Sequence, residues 1–320
     1  MRIGIMTYWT SEENYGQLLQ GFAMQRFLKD RGHDPYLIRY DYKYDQSQTE
    51  DSGKAAIHSR GFDDFRRKYI NLSEKVFRGY NELISDPPEA DMYITGSDQI
   101  WYLGSNPEEK LNRLHAYFLD FGRKDISRHA IAASWGGCTA LSQKLVDEIR
   151  PLIARFDSIS VRERSGIEFC RLCGREDVKV VDDPTTFLSP EIYKELYKSE
   201  SVGYSYRHYV LLYYINQGDL FDPLPIYNKT KREGLDVVYV PVGHLDDNIE
   251  KSYPTVAEWL WLIDHAEYVI TNSFHCMIFS ILFHKQFYAI RLRGYNAGMN
   301  TRIDNLFENY GIPESRYLWL

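Results

Sequence analysis

The chain has 320 residues, 44% hydrophobic and 26% charged, with a formal net charge of −7. These are ordinary values for one large or two modest globular domains, and the acidic balance argues against a general nucleic-acid binder. No apolar run is long enough to span a bilayer, MRIGIMTYW lacks a signal-peptide pattern, and four cysteines without a secretory signal are expected of a reduced, cytoplasmic protein.

Residues 2–6 read as a first strand. The polar stretch TYWTSEENYG leads to QLLQGFAMQRFLKDRG, where Leu18, Leu19, Phe22, Ala23, Phe27 and Leu28 recur at helical spacing and Gly32 ends the run. PYLIRY follows as a second strand, so the chain opens on the strand–helix–strand unit of a parallel sheet. Residues 41–60 are polar and aperiodic and are expected to form a loop. Further strands are expected at 91–95, 128–134, 158–161 and 178–181, with helices over 142–156 and 163–173. DDPTTFLSP, with two prolines, marks a crossover between halves. Beyond it come strand 209–215, a helix within 220–233, strand 236–242, helix 256–266, strand 267–271, helix 274–284 and strand 287–292. The expected fold is α/β, with two Rossmann-like domains, 1–188 and 189–320, facing across a cleft. The chain stops at RYLWL, inside an apolar run where a further closing helix is expected.

In such folds ligands gather at the carboxyl ends of strands. Four polar turns fall there: NYGQ (14–17), TGSDQIW (95–101), SVRERSG (160–166) and TNSFH (271–275). A helix N-terminus presents free N–H groups that suit phosphate or carboxylate, and Ser273 fits a cap or an anion donor equally. Arg162 and Arg164 follow one strand, Arg291 and Arg293 end another, and Arg302 opens the helix after Asn300. Arginine binds such anions bidentately, although a single one is usually a solvated surface residue. Asp98 and Gln99 make ordinary turn chemistry; they also supply a carboxylate and an amide for sugar hydroxyls. His275 taken alone reads as a turn histidine satisfied by backbone or as a reactive group.

Other signatures are missing. There is no P-loop lysine motif, no GxSxG, no HExxH, and no GxGxxG after the first strand. Cys170 and Cys173 form a lone CxxC, better read as packed thiols than as a metal site. No metal and no cofactor are signalled.

Together the turns resemble the polysaccharide pyruvyl transferase family. The matching stretches are MRIGIMTYW with NYGQLLQGFAMQRFLKDRGH, DMYITGSDQIW, SISVRERSG, VVDDPTTFL, AEYVITNSFHCMIFSILFHKQF and NTRIDNLFENYGI, in order along nearly the whole chain. The resemblance implies a fold like the GT-B glycosyltransferases. It also implies transfer of the enolpyruvyl unit of phosphoenolpyruvate, as co-substrate, onto a sugar of a surface polysaccharide or its lipid-linked precursor, in the cytoplasm or at the inner face of the membrane. The product is a pyruvate ketal and free phosphate. The family histidine falls on His275. Arg162, Arg164, Asn272, Ser273, Arg291, Arg293 and Arg302 are the expected donor contacts in the C-terminal, donor-side domain and at its cleft. Asn14, Tyr15, Gln17, Ser97, Gln99 and Trp101 are the expected acceptor contacts in the N-terminal, acceptor-side domain. Chemically, His275 would deliver a proton or bind the leaving phosphate, and Asp98 would orient or deprotonate the acceptor. Where the family tends to have glycine after this histidine, the chain has Cys276, expected to sit in the core. A nucleotide-sugar glycosyltransferase and a non-catalytic glycan- or anion-binding protein are the rival readings.

Overall fold

The computed structural model describes residues 1–45, 60–102, 104, 107–200, 202, 206–216, 222–243, 245, 247–292, 297–298 and 300–318. The chain divides into two compact units. The first comprises Met1–Ser11, Gln17–Ala55 and Arg66–Leu188, and the second Glu12–Gly16, Ala56–Phe65 and Ser189–Leu320. Two short segments expected in the N-terminal half therefore belong with the C-terminal one. Asn14 and Tyr15, expected on the acceptor side, share a unit with His275.

The first unit holds seven strands: β1 (Arg2–Met6), β2 (Asp34–Asp41), β3 (Leu72–Arg78), β4 (Met92–Thr95), β5 (Ser127–Ala133), β6 (Ser158–Val161) and β7 (Lys179–Val180). Their order is β3-β2-β1-β4-β5-β6-β7 and every pairing is parallel. Helices α1 (Tyr15–Lys29), α2 (Phe62–Tyr69), α3 (Tyr80–Ser85), α4 (Leu111–Tyr117), α5 (Gln143–Ile153) and α6 (Ser165–Leu172) connect them. The second unit has β8 (Tyr209–Ile215), β9 (Asp236–Val242), β10 (Tyr268–Thr271), β11 (Phe287–Ile290) and β12 (Tyr317–Leu318), in the order β12-β11-β10-β8-β9. It carries α7 (Pro190–Lys198), α8 (Leu224–Arg232), α9 (Val256–His265), α10 (Phe274–Leu282) and α11 (Asn300–Asn309). All its pairings are parallel too.

A central parallel strand is buried on both faces, so it reads as a continuous apolar run rather than an alternation. In β8, YVLLYYI, only the last residue is not fully buried. Caps set the helix starts. Thr255 and Glu258 form a reciprocal capping box on α9, and Pro190, whose fixed φ suits the first turn, opens α7. Those prolines mark not only a crossover but a helix that the sequence reading lacked. Also beyond the expected elements are α2, β3, α3 and α4, short pieces with mixed polarity. Within RYLWL, Tyr317 and Leu318 pair with Ala289 and Ile290 as an edge strand, and the last two residues lie outside the described ones. Of the expected 41–60 loop, Tyr42–Asp45 is a short 3-10 turn and residues 46–59 lie outside the described ones.

Cys170 and Cys173 are buried in the first unit's core, where burial pushes their thiols up to about 12 and about 11. Among the described residues no group of His, Cys, Asp and Glu is arranged to hold a metal ion, and no helix is long and apolar enough to cross a membrane.

One ionic cluster should make the first unit's stability pH-dependent. His115 bonds Asp120 through Nδ1 and Glu148 through Nε2, both at 2.7 Å, while Arg155 pairs with Asp120 and Tyr80 donates to it. The Asp120 hydrogen bond, opposed by burial and helped by Glu148, raises the His115 pKa above 6.5. In turn His115 helps hold Asp120 down to about 2. A raised folded pKa stabilises fully below the unfolded value, and the contribution is lost as pH rises through the folded value. The melting temperature should therefore fall as pH rises above neutrality, and less so in His115→Gln. Identical slopes in wild type and variant would exclude this role.

Candidate active site

In doubly wound sheets the ligand crevice lies at the carboxyl edge where the strand order reverses. That point falls between β1 and β4 in the first unit and between β8 and β10 in the second. Both edges carry residues singled out in the sequence.

At the first edge, the turn after β4 places Asp98 at φ 63°, with its side chain almost wholly buried. Its backbone carbonyl accepts from Ile100 N (2.8 Å) and Ser134 N (3.1 Å), while Gln17 Nε2 donates to its carboxylate at 2.9 Å. Gln20 braces the same turn, donating to Thr7 Oγ1 and accepting from Ser97 N. Arg162 is the buried cation beneath it. Its Nη1 lies 2.7 Å from Asp183 and its Nη2 3.8 Å from Asp98. Burial would lower the Arg162 pKa, but the Asp183, Asp98 and Glu163 charges outweigh it and raise the value. Ser97 Oγ also donates to Asp183, at 3.1 Å.

Arg162, expected at an anion, is thus neutralised by carboxylates of its own unit and holds the Asp98 turn. Trp101, expected at the acceptor, is core: its ring stacks on Phe118 at 4.6 Å, and its Nε1 donates to the Tyr117 carbonyl. Gln99 is half-buried, accepting from Tyr8 OH through its carbonyl, and Arg164 is exposed at the start of α6.

At the second edge, Asn272 clamps the end of β8. Its Oδ1 accepts from Ile215 N and its Nδ2 donates to Ile215 O, both at 2.8 Å. Asn300 does the same to Leu292 beyond β11, at 3.0 and 2.8 Å. Ser273 caps α10 by accepting from Cys276 N, so Asn272 and Ser273 set the backbone that presents His275. His275, 6% exposed, sits in the first turn of α10.

Its ring is seated against Gly16. A Cβ on Gly16 would overlap the imidazole, so only glycine lets the 12–16 segment lie there. Tyr15 anchors that segment, stacking on Trp259 at 4.9 Å with its hydroxyl donating to Pro254 O at 2.5 Å. The NYG motif and the TNSFH motif are therefore two halves of one packing arrangement.

The expected arginines of this unit fare differently. Arg291 is held by Asp304 at 2.6 Å and lies over the Tyr317 ring. Arg302 is buried over Phe274, the residue preceding His275. Arg293 lies outside the described residues. Cys276 is fully buried and its thiol is pushed well up by burial, so it is a core residue.

Sequence reasoning missed Arg60, at the end of a stretch read as loop. Its side chain is 1% exposed; Nη2 donates to Pro241 O at 2.8 Å and lies 3.9 Å from Glu13 Oε1. Nothing in its local sequence distinguishes it from a solvated loop arginine.

Two all-parallel, doubly wound units with polar turns at their switch points make this an α/β protein of the GT-B type. The chain belongs to the polysaccharide pyruvyl transferase family, whose model matches residues 14–293 and so takes in both the NYG and TNSFH turns. Comparison with curated sequences gives no match. Solved structures with a similar fold include the Methanocaldococcus jannaschii UDP-GlcNAc 2-epimerase in complex with UDP-GlcNAc and UDP. It is 13% identical, with 95% of this chain and 87% of that one covered and a TM-score of 0.52. An alpha-glucosyltransferase in complex with UDP and a 13-mer DNA is 12% identical, with 99% and 93% covered and a TM-score of 0.53. S. aureus MnaA bound to UDP is 9% identical, with 99% and 90% covered and a TM-score of 0.51. At these identities the likeness shows the fold alone.

Two substitutions test the seat of His275. Ala normally exceeds Gly in a helix by about 1 kcal/mol, yet Gly16→Ala should destabilise by about 1–3 kcal/mol because the methyl overlaps the ring. Gly21→Ala, in the same helix and facing only Leu37 atoms at 3.2 and 4.0 Å, should be neutral or stabilising. Urea denaturation of both would refute the close approach if the two shifted stability equally.

Proposed function

We propose that the protein transfers the enolpyruvyl unit of phosphoenolpyruvate to two hydroxyls of a sugar, in a surface polysaccharide or its lipid-linked precursor, leaving a pyruvate ketal and inorganic phosphate. The observation that carries this reading is the placing of His275. It stands at the switch point of the second unit, capped in place by Ser273 and seated on Gly16, in a chain of this family.

The chemistry asks for a proton at the methylene carbon, which makes the neighbouring carbon electrophilic to the first hydroxyl. Loss of phosphate then renders that carbon electrophilic again for the second hydroxyl. Of the two hydroxyl protons, one is balanced by the new methyl group and the other by the released phosphate. His275 can supply the first proton or hydrogen-bond the leaving phosphate, since imidazole exchanges protons near neutral pH. Asp98 is assigned to the acceptor: a carboxylate whose turn is braced by Gln17, Gln20 and Arg162 is suited to orient or deprotonate a hydroxyl. Binding a dianionic donor needs fixed cations and N–H groups in a site shielded from water. No metal enters this scheme.

The test is release of phosphate from phosphoenolpyruvate in the presence of candidate sugar acceptors. His275→Ala should lower the rate by about 10²–10⁴-fold with the fold retained by circular dichroism. Undiminished turnover would remove His275 from the chemistry. A thermal response to uridine or guanosine nucleotides without any response to phosphoenolpyruvate would favour the nucleotide-sugar reading. Asp98→Asn should depress kcat while leaving the KM for phosphoenolpyruvate near wild type; an effect confined to that KM would move Asp98 to the donor.

A further inference from the structure

Around the Tyr15 ring, the second unit buries a set of hydrogen-bond donors that have no acceptor among the described residues. They are Nε and Nη1 of Arg60, the hydroxyl of Tyr213 and Nε1 of Trp259. The Arg60 guanidinium lies 5.9 Å from the Tyr15 ring centroid, the Tyr213 ring 5.9 Å and the Trp259 ring 4.9 Å. Tyr213 and Trp259 meet edge to face at 5.3 Å. This cluster adjoins the His275 turn on two sides. Tyr213 in β8 is the register partner of Thr271 in β10, whose hydroxyl accepts from Ser273 N. Gly16, next to Tyr15, is the seat of the His275 ring.

The chemical bias of the cluster is clear. Arginine and tryptophan nitrogens can only donate. Burial raises the Tyr213 pKa far above the ordinary value, so its hydroxyl keeps its proton. The nearest countercharge is Glu13, 3.9 Å from Arg60 Nη2, and its other oxygen already accepts from Gly243 N. A buried guanidinium with two donors unanswered is costly, by the full desolvation of those groups. An oxyanion can accept from donors of each of these kinds.

We propose that Arg60, Tyr213 and Trp259 bind a carboxylate- or phosphate-class anion in the second unit, next to His275. Identifying that anion as a group of phosphoenolpyruvate rests on the pyruvyl-transfer reading; the site itself does not. It supplies the cation that Arg162 and Arg291 do not, since both are held by carboxylates.

Thermal-shift titration with inorganic phosphate and with phosphoenolpyruvate tests it. Wild type should be stabilised in a concentration-dependent way. Tyr213→Phe removes a hydroxyl without a partner, so its anion-free melting temperature should match wild type, yet it should need about tenfold more phosphate for the same shift. Arg60→Gln should abolish the response, and Arg60→Lys should weaken it. Wild-type titrations in Tyr213→Phe and Arg60→Lys, or no response in wild type to either anion, would overturn the site; should Arg60→Gln fail to fold, those two variants still decide. An Arg60-dependent phosphate response without phosphate release from phosphoenolpyruvate would keep the site and sink the pyruvyl reading. Release with an unchanged KM in Tyr213→Phe and Arg60→Lys would keep that reading and sink the site.

Discussion

The contact on which the candidate site depends is the approach of the Gly16 backbone to the His275 ring. A histidine at the start of a helix is free to swing between rotamers unless something occupies the alternatives. Here the backbone of the 12–16 segment fills that space, and the segment is pinned by Tyr15 between Trp259, Phe62 and the Pro254 carbonyl. The side-chain clamp of Asn272 on Ile215 fixes the other side, because it joins the ends of β8 and β10 through two hydrogen bonds. A net contribution of about 1 kcal/mol per hydrogen bond is modest. The gain is in position: the imidazole is fixed by backbone rather than by flexible side chains.

Charge placement follows a different logic in each unit. Arg162 and Asp183 form a buried pair whose desolvation is met by mutual attraction and by additional hydrogen bonds from Ser97 and the Thr185 backbone. Such a pair adds little net stability but is costly to break on one side. Its effect is to hold the Asp98 turn in one geometry. Arg60 is the opposite case, a cation of similar burial whose nearest carboxylate lies 3.9 Å away. The difference in countercharge, a carboxylate at 2.7 Å for Arg162 against 3.9 Å for Arg60, separates the structural role from the proposed binding role more sharply than position along the chain does.

Much of the fold is legible in the sequence because parallel sheets write themselves as apolar runs bounded by polar turns. YVLLYYI and DVVYVPV are strands at the expected positions for that reason. The elements that escaped are those whose formation is decided by neighbours. β3, LSEKVFR, is an edge strand with three exposed residues, and α2, FDDFRRKY, is short and strongly polar. His275 and its cap were legible from strand-end position. The pairing of NYG with TNSFH was not, because the Gly16–His275 approach brings together residues about 260 positions apart that no local pattern links. Arg60 was invisible for the same reason, since burial of a loop arginine is set by Pro241, Tyr253 and Glu13 far along the chain.

The cysteine after the histidine shows how helix geometry separates two adjacent side chains. Successive residues of a helix point about 100° apart, so a ring directed at Gly16 sends its neighbour elsewhere. Cys276 is fully buried in the core of the second unit, and its carbonyl accepts from Ser280 Oγ at 2.8 Å. Burial keeps the thiol neutral, and its side chain interacts with Thr271. The Cys276 side chain is therefore absorbed by packing in the second unit's core. What shapes the histidine's surroundings is the glycine on the facing segment, Gly16, whose missing side chain makes the room that the ring occupies.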